Sequence, residues 1–291
     1  IGKDKVDGFS SPIFSSLRYL DSLYLGRDIN GEATFSELGL KTVKLGELVT
    51  TINPLMFKEC ESLVEINLHD GINRIGEESF AYCRKLSSII IPRSVKCIEN
   101  GAFKNCGSIK SLYIPNTVDS IGNAAVPTGL TEVYIEDGAT ELHLGHEIYS
   151  STSRGRGLFP QSVTKLHIGR DLVYNPGTAY GRSPFYCGNY EEVTLGDNVT
   201  RLGENLFVSS KLREIVIPKN VYYIGKQCFD FCSSLVSVAF SDNVQVIDSA
   251  AFYGTALKTL DLPESVDSIG DHAFAGCNIT HITLPASLKR I

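Results

Sequence analysis

The chain has 291 residues, of which 43% are hydrophobic and 21% are charged, and its formal net charge at pH 7 is −6. This acidic balance, without any Lys/Arg run, argues against a nucleic-acid-binding protein, which would present a basic face. The longest hydrophobic runs, such as residues 89–91, are far too short to cross a bilayer, so no membrane span is expected. The chain opens on Ile1 rather than Met, so the lack of a visible signal peptide says little about location.

One stretch, residues 212–234, shows the unit from which the chain is built. Its hydrophobic residues are Leu212, Ile215, Ile217, Val221, Ile224, Phe229 and Cys232. This spacing matches neither a helix nor a long strand, and indicates a short coil that turns one side chain inward at each bend. A unit of this size cannot bury a core alone, so it must stack on copies of itself.

Copies of this unit follow one another along the chain. They begin at Leu20, Leu40, Leu63, Leu86, Ile109, Leu130, Val163, Tyr190, Leu212, Leu235, Leu257 and Ile279. A period of 20–29 residues with an L-x-x-L-x-L core is the signature of leucine-rich repeats. Residues 20–291 therefore form a repeat domain of about 12 coils, and residues 1–19, which do not fit the pattern, are predicted to form an N-terminal cap.

The predicted fold is an α/β leucine-rich repeat solenoid, a right-handed superhelix with a parallel β-sheet on its concave face. Short helical or 3₁₀ turns are expected on the opposite side, at the recurring G-x-x-x-F-x-x-C segment. Counting the first residue of each coil as position 1, the glycine at position 14 predicts either a positive φ or a close backbone approach. Small polar residues at position 9 are expected to bond to the backbone at a bend. Phenylalanines in register are expected to stack as a spine; they are Phe57, Phe80, Phe103, Phe207, Phe229, Phe252 and Phe274.

The run I-P-x-S-V-x-x-I-G-x-x-A-F-x-x-C resembles the BspA-like (Treponema pallidum-type) family of leucine-rich repeats. It reads IPRSVKCIENGAFKNC at 91–106 and LPESVDSIGDHAFAGC at 262–277, and the resemblance covers residues 20–291. The resemblance implies a bacterial cell-surface or secreted protein that adheres to host matrix proteins or to other cells. A signal peptide or lipid anchor would then be missing from this fragment.

Two irregular coils, spanning 130–189, carry insertions at the same place in the repeat, before Phe159 and Phe185 take the spine position. The inserted segments, 145–157 and 174–184, are rich in Gly, Ser, Tyr and Arg, as adaptable binding loops are. They should project side by side. Their candidate contact residues are Tyr149, Arg154, Arg156, Tyr174, Tyr180 and Arg182. The phrase YLGRDI (24–29) returns as HIGRDL (167–172) without an evident reason.

A second set of candidates lies on the strand face that points away from the core. Four successive coils present Ile90, Tyr113, Tyr134 and His167 at position 5. Aromatic residues with polar neighbours are typical of binding hot spots. The competing interpretation is that strands favour aromatic and β-branched residues on either face.

Cysteine and histidine chemistry points to no cofactor and no metal. Five of the eight cysteines occupy position 21 and are predicted to be buried free thiols, with disulfides between neighbouring coils as the alternative. The histidines that come nearest to a metal site are His143, His146 and His167. They are only a weak candidate, because no fixed acid partner accompanies them. No catalytic motif is present, so we expect no enzymatic activity.

The sequence therefore favours a binding module whose partner is another protein or a surface glycan. The alternative is a structural stalk or spacer that displays another domain. A glycan-active enzyme is a third reading, which would need a pair of carboxylates that the sequence does not show.

Overall fold

The computed structural model describes residues 14, 16–17, 19–146, 157–176 and 183–291. The chain divides into two compact units, Ile1–Thr131 and Glu132–Ile291. In both units, most coils have a first strand, a shorter second strand and a turn segment.

In the first unit, the first strands β1, β2 and β4 pair in parallel, and so do the second strands β3, β5, β6 and β8. The strands of this unit are β1 (Ser22–Arg27), β2 (Thr42–Leu48), β3 (Thr51–Ile52), β4 (Glu65–Asn67), β5 (Arg74–Ile75), β6 (Cys97–Ile98), β7 (Ser111–Ile114) and β8 (Ser120–Ile121).

The second unit repeats this plan, with parallel pairing throughout. Its strands are β9 (Glu132–Ile135), β10 (Leu142–Leu144), β11 (Lys165–Ile168), β12 (Leu172–Val173), β13 (Glu192–Leu195), β14 (Arg201–Leu202), β15 (Glu214–Val216), β16 (Tyr223–Ile224), β17 (Ser237–Ala239), β18 (Val246–Ile247), β19 (Thr259–Asp261), β20 (Ser268–Ile269) and β21 (His281–Thr283).

The first strands have one buried and one exposed side. In β9, Val133 and Ile135 are buried while Glu132 and Tyr134 are exposed. This alternation follows from the two-residue period of a strand, and it places positions 4 and 6 of the coil in the core. Position 5 is therefore available to solvent.

The turn segments are not helical, which corrects the predicted helical or 3₁₀ turns. In the coil that begins at Leu63, the N–H groups of Glu78, Phe80 and Tyr82 donate to carbonyls of the next coil. The N–H groups between them donate three residues back, so successive β-turns replace a helix. Glu78 and Tyr82 have φ of 47° and 64°, and no described residue of the chain lies in a helix. Every second N–H group of the turn thus donates to a carbonyl of the next coil. In a helix the same N–H groups would donate within the segment.

The glycines at position 14 are explained by close approach. A Cβ on Gly122 would lie 2.5 Å from the backbone nitrogen of Asn100, and one on Gly270 would lie 2.4 Å from that of Ser249. The positive φ angles occur instead two residues later, on residues such as Glu78 and Gln227. The sequence left both explanations open, and the structure selects the second.

The predicted phenylalanine spine is present in each unit. In the second unit, Phe159, Phe185 and Phe207 stack with centroid distances of 4.9 and 5.7 Å, which confirms that the two late phenylalanines take the spine position. In the first unit the stack also includes Phe35 and Phe14, whose rings are 5.3 Å apart. Phe14 belongs to the segment predicted as a cap, so that segment contributes a ring to the repeat spine.

The position-21 cysteines form a ladder of thiols. Each Sγ donates to the carbonyl of a spine phenylalanine in the preceding coil, at 3.0–3.2 Å. Cys60, Cys83, Cys106 and Cys232 are buried, and Cys277 is half-buried. Burial raises the pKa of Cys60 to about 11 and the pKa of Cys106 and Cys232 to about 12. The prediction of buried free thiols is confirmed for these four.

Polar side chains at the bends link neighbouring coils. At position 9, Ser94 donates to the carbonyl of Ile72 at 2.5 Å and Asn220 donates to that of Asp197 at 2.6 Å, as predicted. The structure also explains the repeated GRD phrase. Asp171 accepts hydrogen bonds from the N–H groups of Thr200 and Arg201 and from the Thr200 hydroxyl, and Asp28 makes the same three contacts with the next coil. The aspartate of this phrase therefore holds the start of the second strand of the next coil by hydrogen bonds.

Candidate functional site

The candidate site lies on the outward side of β9, β11 and β13 in the second unit. Parallel pairing places His167 directly opposite Tyr134 on one side and Thr194 on the other. Because neighbouring strands lie about 4.8 Å apart, outward side chains in this register must touch. The rings of Tyr134 and His167 stack with centroids 4.2 Å apart and an interplanar angle of 12°.

Both nitrogens of the His167 ring are hydrogen-bonded. Nδ1 lies 2.8 Å from the Thr194 hydroxyl, and Nε2 lies 3.1 Å from Oδ2 of Asp137. In the neutral ring, Nε2–H donates to the carboxylate and the threonine hydroxyl donates to Nδ1. The ring is thus fixed on one face by Tyr134 and along its edges by two polar groups.

No recurring sequence pattern indicates the next member of the site, Asp137. It follows β9, and its carboxylate lies over Gly196, where an added Cβ would be only 2.0 Å from Oδ1. Gly169 also lies close to Asp137, since a Cβ there would be 2.4 Å from the Asp137 backbone nitrogen. Two glycines in successive coils therefore leave the space in which the carboxylate reaches His167.

Charged side chains border the rings on the same strands. The ammonium group of Lys165 lies 3.5 Å from Glu132, and the register also places Glu192 opposite Lys165 on the other side. All these charges are exposed. A row of mixed charge beside an aromatic pair resembles the polar rim of an interface.

The other position-5 candidates lie in the first unit. Ile90 and Tyr113 are 74% and 43% exposed, so both side chains face solvent as predicted. Tyr113 lies on β7, whereas Ile90 lies outside any strand.

The insertion candidates are only partly described. Tyr149, Arg154, Arg156, Tyr180 and Arg182 lie outside the described residues. Tyr174 is described: it is half-buried, and its hydroxyl donates to the carbonyl of Glu204 at 2.8 Å. This contact favours a structural role for Tyr174.

The described ends of the two insertions adjoin one another. Strands β10 and β12, which precede them, are paired. At the other end, the N–H of Phe159, which follows the first insertion, donates to the carbonyl of Pro184, the last residue of the second. Both insertions therefore begin and end at neighbouring points of the stack.

No cluster of three or more His, Cys, Asp or Glu side chains suited to a metal occurs in the described ranges. His143 is exposed on β10. His167 has an acid partner, Asp137, which the sequence pattern does not indicate. Both ring nitrogens of His167 already form hydrogen bonds within the site, which does not favour a role as a metal ligand. In the part of the chain that the structure covers, no helix has the length and hydrophobicity of a membrane span.

Comparison with known proteins agrees with the stacked coils and their recurring residues. The model of the BspA-type leucine-rich repeat region matches residues 9–152 and 178–291 in six copies. The chain belongs to the BspA-type leucine-rich repeat family. The resemblance drawn from the two quoted motifs is thereby confirmed.

A solved structure with a TM-score above 0.5 shows the same fold. A leucine-rich repeat protein from Bacteroides ovatus is 22% identical, and the alignment covers 98% of this chain and 78% of that one with a TM-score of 0.57. The leucine-rich repeat protein of T. pallidum is 20% identical over 93% of this chain and 80% of its own, with a TM-score of 0.38. No curated protein sequence is similar enough to count as a relative.

Proposed function

We propose that this BspA-type chain is a non-catalytic binding scaffold, and that the outward side of β9, β11 and β13 recognises a protein partner. The observation that carries the proposal is the fixed pair of rings formed by Tyr134 and His167. An aromatic side chain contributes much contact area, and one that is already ordered loses little entropy on binding.

The exposure of the pair supports a role in binding. Tyr134 remains 41% exposed although its ring stacks on His167, so a partner can still cover part of it. The hydrogen bonds that the imidazole makes with the Asp137 carboxylate and the Thr194 hydroxyl hold it in place without covering it completely. Tyrosine is enriched among residues that dominate binding energy, and the neighbouring charges of Lys165 and Glu132 would supply the surrounding polar contacts.

We also propose where the protein is located and what the inserted segments contribute to binding. Membership of the BspA-type family supports a secreted or cell-surface protein, with adhesion to matrix proteins or to other cells as its role. Segments 145–157 and 174–184 would add adaptable contacts, because their described ends emerge from adjacent coils.

The proposal is tested by measuring binding of the chain to a panel of immobilised matrix proteins, including fibronectin, fibrinogen and collagen. The Tyr134→Ala variant is compared with Tyr222→Ala, which removes an exposed tyrosine from another coil. We expect Tyr134→Ala to weaken binding at least tenfold, since it removes a ring from the contact, and Tyr222→Ala to leave the affinity within twofold.

Two results would count against the proposal. Equal affinities of the wild-type chain and Tyr134→Ala would remove this face as the site. The absence of binding to any protein in the panel by the folded chain would favour a stalk or spacer instead.

A further inference from the structure

An open groove of about 470 Å³ crosses the outward side of β1, β2 and β4 in the first unit. Its volume falls within the range of small-molecule sites, roughly 300–1,000 Å³. We infer that this groove is a carbohydrate-binding subsite that accepts a neutral sugar residue on the ring of Tyr24. The inference goes beyond the proposed function, because the groove belongs to the other unit and takes another class of ligand.

Tyr24 provides an aromatic surface held against the backbone. A Cβ on Gly26 would lie 3.5 Å from Cε1 of its ring, and one on Gly46 would lie 2.9 Å from its hydroxyl oxygen. The ring therefore lies along two glycines in successive coils, where any other residue at Gly46 would push it away. It is nevertheless 66% exposed, so much of the ring remains available to a ligand.

Polar side chains lie beside this ring in two rows set by the strand register. Lys44 and Asn67 continue the row of Tyr24, and Thr42 and Glu65 continue the row of Ser22. Among the described residues, none of these five polar side chains has a hydrogen-bonding or ionic partner. On β9, β11 and β13, by contrast, Lys165 pairs with Glu132 and His167 bonds to two neighbours.

The mixture of groups selects the class of ligand. Lys44 only donates hydrogen bonds, the Glu65 carboxylate only accepts them, and the amide and hydroxyl groups do both. The charges of Lys44 and Glu65 are opposite, so the groove offers neither an anion nor a cation a net attraction. A purely apolar ligand would cover these polar groups without satisfying them, which is costly.

A pyranose ring meets all three conditions. It is neutral, it presents an apolar C–H face that can lie on the exposed ring of Tyr24, and its hydroxyl groups both donate and accept hydrogen bonds. Sites built to hydrogen-bond a ligand discriminate strongly against analogues that lack the matching groups. Asn67 and Glu65 would therefore set which sugar is preferred.

The test is saturation-transfer NMR on the 291-residue chain with cellotriose, maltotriose and chitotriose as probes. We expect saturable transfer to the ring C–H protons of at least one trisaccharide. Tyr24→Ala should weaken its affinity at least tenfold, and Tyr24→Phe, which keeps the aromatic ring, should stay within about threefold of wild type. Tyr222→Ala is the matched control and should not change the signal.

Thermal unfolding of each variant separates loss of the site from loss of the fold, and Asn67→Ala supplies a second test that leaves Tyr24 and its glycines in place. We expect Asn67→Ala to weaken binding severalfold. The inference is overturned if no trisaccharide shows saturable transfer, or if folded Tyr24→Ala binds as well as wild type. It is also overturned if a zwitterionic tripeptide such as Gly-Ser-Gly binds at Tyr24 and the sugars do not. Failure of this site leaves the face of β9, β11 and β13 untouched, since the two are measured with different ligands and variants.

Discussion

At the scale of single residues, the spacing between neighbouring coils decides which side chains fit. Gly122 lies where two coils approach closely, because a Cβ there would lie 2.5 Å from the Asn100 nitrogen. Gly107, in the same unit, would place a Cβ no closer than 4.0 Å to Thr128. Neither glycine has a positive φ, so they differ in the space around them rather than in backbone strain.

We therefore expect Gly122→Ala to lower the free energy of unfolding by about 1–3 kcal/mol, the usual cost of overpacking. Gly107→Ala should change it by less than about 0.5 kcal/mol, as for other surface substitutions. Urea unfolding followed by circular dichroism measures both. Equal effects of the two substitutions would show that close approach at position 14 does not explain the glycine.

The candidate site was only partly predictable at this scale. Tyr134 and His167 were found because position 5 recurs in every coil, and a recurring position can be assigned to the outward side of a strand. Asp137 was missed because no recurring pattern includes it. Its contact with His167 depends on the register of two coils and on two glycines, Gly169 and Gly196, that come 32 and 59 residues later in the chain. No local pattern reports such distant residues.

At the scale of structural elements, the spine of phenylalanines stabilises the stack of coils. Phe229 is fully buried between Phe207 and Phe252, with ring centroids 5.5 and 5.1 Å away. Phe231, only two residues further, is 51% exposed. The same coil thus carries a spine phenylalanine and a surface phenylalanine.

Phe229→Ala should lower the free energy of unfolding by about 3–5 kcal/mol, because it removes a buried ring and leaves a cavity. Phe231→Ala is the matched control, with an expected loss below about 1 kcal/mol because half of its ring is already in water. Chemical unfolding of the two variants gives the comparison. A similar loss of unfolding free energy in both variants would mean that the spine position contributes no more to stability than a surface position.

Because of the ladder of buried thiols, the free energy of unfolding is expected to fall at alkaline pH. Burial raises the pKa of Cys106 and Cys232 from 9.0 to about 12, so above pH 9 the unfolded chain loses these protons before the folded chain does. Their contribution to stability is complete below pH 9 and is lost as the pH rises toward 12, by about 1.4 kcal/mol per pH unit for each thiol.

We expect the urea midpoint of the wild-type chain to fall between pH 8 and pH 10.5. The fall should be smaller in a variant with Cys106→Ala and Cys232→Ala, although that variant is less stable at pH 8. Buried tyrosines titrate in both proteins, so the difference between the two curves isolates the thiols. Parallel curves would contradict burial of the two thiols in the folded state.

The turn segments show what the sequence could not predict at the element scale. Their spacing of Gly, Phe and Cys suits a single helical turn, which is what the pattern indicated. The residues with positive φ are ordinary types such as Glu78, Tyr82 and Gln227, which do not favour that conformation. Hydrogen bonds to the next coil fix it, and these exist only once the coils are stacked.

At the scale of the whole molecule, the repetition of one coil allows the fold to be predicted from the sequence. The function depends instead on features that occur in only one or two coils. Recurring positions established the parallel strands, the spine and the family. The features with a potential role in binding are those that do not recur, namely the fixed Tyr134–His167 pair, the Tyr24 groove and the two inserted segments. Fold alone does not fix function, so these exceptions are where experiments should be directed.

The measurement that tests the central proposal most directly is hydroxyl-radical footprinting of the chain, free and bound to the matrix protein that it captures. If the outward side of β9, β11 and β13 is the binding face, oxidation of Tyr134 falls severalfold in the complex. Tyr222, in another coil, should be oxidised equally in both states. Unchanged oxidation of Tyr134, with protection of other parts of the chain, would contradict the account and place the binding face elsewhere.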